Sequence, residues 1–202
     1  MKKLILMAAV MLASVGAYAQ HAVGSFNLQP KIGMNVAMLT DTEKADPRIG
    51  LAVGVEGEYQ VSDIFSISGG VLYSMQGNKY EVASNPLKSK VTNTVKLDYV
   101  NVPIMANVYV VKGLAVKLGI QPGFKVSSKL NTDVNTPIAK GNKDADLDKV
   151  KAFDFSIPVG ISYEYANFQL DARYNFGVTN AFEVGKSKNS VFQLTLGYKF
   201  DL

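Results

Sequence analysis

The sequence predicts an all-β chain: an eight-stranded antiparallel up-and-down transmembrane β-barrel behind a cleaved N-terminal signal peptide. Three observations carry this. Eight segments alternate apolar and polar residues with a period of two, so that one face of each strand is greasy and the other wet. The connections between them run long, short, long, short, long, short, long, as outer-membrane barrels place loops outside and turns in the periplasm. Large aromatics gather near both ends of the greasy faces, where bilayer interfaces select them.

Met1–Ala19 has the parts of a secretory signal: basic Lys2-Lys3, an apolar stretch from Leu4 to Ala13, and a small-x-small site at Ala17 and Ala19. A short leader, 20–30, holds His21, and the barrel domain is expected over 31–202. Export removes two lysines, which leaves 19 basic against 17 acidic residues. With no basic cluster interleaved by aromatics, nucleic acid is set aside as a partner. There is no cysteine, which excludes disulfides, thiolate metal sites and a cysteine nucleophile. At 48% hydrophobic residues and without a long apolar run in the mature chain, any membrane crossing must be by strands.

In chain order the strands begin with Lys31–Leu39, whose Ile32, Met34, Val36 and Met38 share the outer face. Ile49–Tyr59 and the segment from Phe65 to Met75 follow, joined by a tight turn at Val61–Asp63. A polar stretch from Gly77 to Lys96 reads as a loop. Strands around Val100–Val108 and Leu114–Ile120 meet at a short turn near Val111–Gly113. Ser127–Val150 reads as the longest loop. Phe153–Tyr165 and Phe168–Phe176 form a hairpin around Ala166-Asn167, and Val191–Phe200 closes the barrel against the first strand. Pro103, Pro122 and Pro158 fall inside strands, where bulges or bonds to lumen side chains are expected.

The wet face assigns a lumen network of Lys31, Asn35, Glu56, Glu58, Asn107, Lys117, Asp154, Glu164, Asp171, Arg173 and Lys199. Charges of both signs suit a narrow lumen filled by side chains, not a cavity for a greasy ligand. Lys31 is the expected partner of Glu56 and Glu58, and Asp171 that of Lys199. The outer face assigns two belts. Tyr59, Phe65, Tyr163, Tyr165, Phe168, Tyr198 and Phe200 lie near the short turns; Tyr73, Phe153, Phe155, Tyr174, Phe176 and Phe192 lie near the long loops.

Lys31-Ile-Gly-Met-Asn35, Tyr99-Val-Asn-Val-Pro-Ile104, Gly119-Ile-Gln-Pro-Gly123 and Ala172-Arg-Tyr174 occur in this order behind Ala17-Tyr-Ala-Gln20. On these motifs the chain resembles the PorT-like outer-membrane β-barrel family of Bacteroidetes envelopes. The resemblance implies a small barrel of OmpX size, no enzyme activity, and, in one branch, service to a protein-secretion system. It also implies tolerance of a proline at Pro103. The chain departs from such barrels in ending Asp201-Leu202 beyond Phe200.

No catalytic, cofactor or metal site is expected. The only histidine, His21, precedes the barrel, so a histidine base is not available to a lumen or rim enzyme. Asp144, Asp146 and Asp148 resemble the start of a calcium loop, but Lys149 and Phe155 stand where glycine and glutamate are required. The functional expectation is a structural or interaction protein acting through long extracellular loops. A narrow porin-like channel, a secretion component and a soluble lipocalin-like binder are the alternatives. Expected partners are outer-membrane lipid and lipopolysaccharide (through Lys88 and Lys90), the barrel-insertion machinery reading Tyr198-Lys-Phe200, and an envelope or extracellular protein.

Overall fold

In the computed structural model, residues 21–41, 45–84, 89–135 and 140–202 are described. The signal segment with Ala17 and Ala19, and Lys88, lie outside them. The strands are β1 (Phe26–Leu39), β2 (Asp46–Ser62), β3 (Phe65–Ser84), β4 (Ser89–Asn101), β5 (Ile104–Val111), β6 (Leu114–Asn135), β7 (Lys140–Asp146), β8 (Phe153–Tyr165), β9 (Phe168–Asn180), β10 (Lys188–Tyr198) and β11 (Phe200–Asp201).

Antiparallel pairing runs from β1 through β2, β3, β4 with β5, β6, β8 and β9 to β10, and β10 with β11 returns to β1. This is a closed ring of eight antiparallel strands. Two of them are written in two pieces. The β4–β5 break falls at Val102-Pro103 and the β10–β11 break at Lys199. Across the seam Lys31 pairs Gly197 and Leu28 pairs Phe200, so Gln29 lies opposite Lys199 and Pro30, with no N–H to give, opposite Tyr198 beside the interruption.

Pro103, Pro122 and Pro158 do not bulge this sheet. At Pro103 and Pro122 the register is the same on both sides, and each proline carbonyl still accepts a bond, from Gly70 N at 3.1 Å and Val102 N at 2.8 Å. Pro158 stays in register with Asn175. Each costs a ladder bond without displacing a residue, so the expected bulges are absent there. Register shifts occur elsewhere, among them one between Asp98 and Tyr99 opposite the 125–127 stretch of β6.

Three short turns close one end. Ala166 and Asn167 both have positive φ, 47° and 68°, the backbone of a type I′ hairpin turn. The opposite end differs from expectation. The polar stretches 77–96 and 127–150 are largely strand: β3 and β4 continue past the barrel as one hairpin, and β6 and β7 form another. Above the membrane both faces of a strand meet water, so the apolar alternation disappears while the backbone ladder persists. β1 also starts at Phe26 instead of Lys31, with Asn27 and Gln29 buried inward and Phe26 and Leu28 outward.

Candidate functional site: the lumen and the sheet beyond the barrel

The lumen is stratified. Its middle layer joins three cations to two carboxylates from four strands. Asp171 accepts from Arg173 Nε (2.9 Å) and Nη2 (2.5 Å), Lys31 Nζ (3.0 Å) and Lys117 Nζ (2.8 Å). Glu56 accepts from Lys31 Nζ at 2.6 Å and from Arg173 Nη1 and Nη2 at 2.9 and 3.3 Å. None of the five is more than 2% exposed. Charges this deep persist because every carboxylate oxygen is hydrogen-bonded and every cation faces a carboxylate.

The layer below, toward the short turns, centres on Lys199, whose Nζ lies 3.0 Å from Glu58 and 2.7 Å from Glu164. Glu58 also accepts from Ser66 Oγ (2.6 Å) and from the Tyr109 hydroxyl. Asn107 donates to Ser66 and Ser68 at 3.0 and 3.2 Å. The Lys199–Asp171 pair expected from sequence does not form. Asp171 is in register with Thr195, four residues and roughly 13 Å along the strand from Lys199. Likewise, of the two glutamates Lys31 takes only Glu56, leaving Glu58 to Lys199.

His21 does not lie apart from the barrel. Its Nε2 is 2.9 Å from Glu164 and its Nδ1 2.6 Å from Asp201, which pins the N-terminal segment across the turn-side mouth. The Glu164 carboxylate raises the imidazole above its ordinary value, against the desolvation that lowers it.

Higher in the lumen the polar groups are mostly neutral. Asn35 donates to Ser74 Oγ at 2.9 Å and to the carbonyls of Met75 (3.1 Å) and Leu51 (3.3 Å). Asp154 stands apart from the ionic layers and takes hydrogen bonds from Asn189 and Thr179. Over these sits an apolar roof that sequence reasoning missed: Leu39, Val95, Leu97, Tyr99, Val150 and Ala181, with Tyr80, Leu130, Leu147 and Phe182 packed against them. Leu97 and Tyr99 keep the inward parity of Asn101, a signal hidden by starting that strand at Val100.

The outer face carries every aromatic assigned to the belts, each exposed or half-buried on the lipid side. Two more join them. Phe26 pairs across from Tyr59, and Phe124 packs edge-to-face on Phe153 with centroids 5.7 Å apart. Between the belts Ile32, Val53, Val71, Leu118, Ile161 and Leu196 are all more than one-third exposed, an aliphatic band that only lipid would cover.

The sequence matches the family described as Outer membrane protein beta-barrel domain over residues 18–183. The chain belongs to that family. Its place is therefore the cell outer membrane. Among solved structures it is similar to Ail, the attachment invasion locus protein of Yersinia pestis, at 10% identity, covering 89% of this chain and 100% of that one with a TM-score of 0.49. It is also similar to Neisserial surface protein A, at 14% identity, 87% and 97% coverage and a TM-score of 0.43. No curated protein matches it.

Beyond the bilayer, this outer-membrane barrel raises a sheet. β6, with 22 residues, is roughly 70 Å long, against an apolar band about 25 Å tall crossed at a tilt near 45°. Its upper half is flanked by β4 and β7. β7 pairs β6 on one edge, and among the described residues no strand pairs its other edge. On this sheet Asp144 accepts from Asn131 at 2.6 Å and Lys96 at 3.4 Å, and those contacts hold its carboxyl below the usual range. Asp144 and Asp146 lie on an extended strand, not around a calcium loop, and the described residues contain no cluster of three acidic or histidine ligands.

Proposed function

We propose that this outer-membrane barrel is a non-enzymatic interaction protein that presents β7 to an extended segment of an envelope or extracellular protein. The observation that supports this is the unpaired edge of β7, held outside the membrane on a sheet continuous with the barrel wall. Main-chain groups along such an edge bind an added strand, and the lysines on it discourage indiscriminate pairing. The lumen supports an inert scaffold: four buried cations, Lys31, Lys117, Arg173 and Lys199, meet four carboxylates, Glu56, Glu58, Glu164 and Asp171, across the axis.

Lipid and lipopolysaccharide surround the belts in this reading, and the insertion machinery meets Tyr198-Lys-Phe200 during assembly. The motifs shared with PorT-like barrels of Bacteroidetes make service to a secretion system the more specific form of the same interaction role. A gene deletion that loses exported proteins would support it.

A photo-crosslinking residue at Asn142, on intact cells, tests the main proposal. An adduct with another protein that disappears when Lys143 is replaced by proline supports edge pairing. Steady single-channel openings in planar bilayers would favour the porin-like alternative and overturn the scaffold reading.

A further inference from the structure

Asp154 is the lumen carboxylate that the ionic layers leave out. It is 4% exposed, and among the described residues no lysine, arginine or histidine nitrogen lies within 4.0 Å of it. Its Oδ1 accepts from Asn189 Nδ2 at 3.0 Å and from Thr179 Oγ1 at 3.3 Å. Both donors have fixed orientations. Thr179 Oγ1 accepts from Phe155 N at 2.8 Å, so its own proton is free for Asp154. Asn189 must turn its amide nitrogen to the carboxylate, which leaves its Oδ1 buried with no partner. Beside Asn189 stands the fully buried Tyr99, whose hydroxyl faces the Asn189 side chain and Asp154.

A third neutral oxygen comes from the strand across β6. Gly123 is in register with Asp154 on one side and Asn101 on the other. A Cβ on Gly123 would meet Asn101 Oδ1 at 2.5 Å and Asp154 Cβ at 3.6 Å, so the two side chains lean into the space that this glycine vacates. The result is one carboxylate held by two neutral donors and set near the oxygens of Asn101, Asn189 and Tyr99, with no protein cation to balance it.

We propose that Asp154 is the charged ligand of a monovalent alkali-cation site in the outer part of the lumen, completed by oxygens of Asn101, Asn189 and Tyr99. Oxygen-only donors select hard cations, and a single carboxylate matches one positive charge; calcium sites draw on more. A proton on Asp154 would satisfy one acceptor and leave the others. A cation meets them together and removes the cost of a buried unpaired charge. The apolar roof above and the Lys31–Arg173 layer below bound the site along the barrel axis.

The refolded barrel in detergent micelles tests this by thermal unfolding at constant ionic strength, with choline chloride replaced stepwise by sodium or potassium chloride. Bound cation stabilises by mass action, so Tm should climb with the alkali ion in the native protein and stay flat in Asp154→Asn. If Asp154→Asn does not give the heat-modifiable folded form, Asn101→Ala keeps the charge, and its Tm rise should shift to higher ion concentration. A Tm that follows ionic strength whatever the cation, or an equal alkali response in the variants, overturns the proposal.

Discussion

Gly160 lies directly across the ladder from Arg173 on one side and from Lys117 on the other. Lys31 is flanked in the same way by Gly54 and Gly197. A ring of eight strands has little room, and long cations fit across it because glycines stand next to them. A Cβ at Gly160 would come within 2.5 Å of the Ala172 carbonyl oxygen and 2.8 Å of Arg173 Cβ. Gly160→Ala is expected to destabilise the barrel by about 1–3 kcal/mol, read from urea unfolding in lipid vesicles.

Asp171→Asn should cost more. The substitution leaves Lys31, Lys117 and Arg173 gathered around a neutral amide, and breaking a buried charge network from one side costs about 3–5 kcal/mol. Asn35→Ala, which removes only neutral hydrogen bonds, serves as the comparison in the same unfolding assay; an equal loss would show that the ionic layer is not special.

Ala166 occupies a left-handed conformation that asparagine tolerates better. Ala166→Asn is expected to stabilise the β8–β9 hairpin by about 1 kcal/mol, detectable as a higher urea midpoint with an unchanged slope.

The His21 clamp makes stability depend on pH. Both ring nitrogens face carboxylates, so both must donate, which requires the imidazolium. Its folded pKa lies above the ordinary value near 6.5, so the stabilisation is complete below that value and fades as pH rises through the folded pKa. Tm should therefore fall on going from mildly acidic to alkaline buffer, and His21→Gln should flatten that slope. A native slope unchanged in the variant would remove the clamp from the account.

The last two residues and Phe200 should separate in their effects. Asp201 pairs Asn27 and holds His21, and Leu202 N bonds the Phe26 carbonyl at 3.0 Å. Deleting both residues is expected to lower Tm and blunt its pH dependence while insertion into vesicles proceeds. Phe200→Ala should slow insertion more than the deletion does; equal insertion rates would place the assembly signal elsewhere.

The ring and the outward faces were legible because lipid and lumen impose opposite demands on alternate residues from Lys31 to Phe200. That contrast ends where the bilayer does, so the continuation of β3 and β6 into the outer sheet left no alternation to read. Face parity put Lys199 and Asp171 in the lumen but said nothing of height along it, and stagger between tilted strands decided their partners. His21 was out of reach for another reason: its contacts are with Glu164 and Asp201, far along the chain, and no local pattern announces them.

The seam between β1 and β10 with β11 joins the earliest strand of the barrel to the latest. Every other pairing can form as its two strands arrive, but this one waits for the whole domain. A chain interrupted before Val191 keeps two raw edges and leaves Glu58 and Glu164 without Lys199. Closure is thus a completeness check written into the topology: only a chain that extends through β10 and β11 can hide all its backbone from lipid.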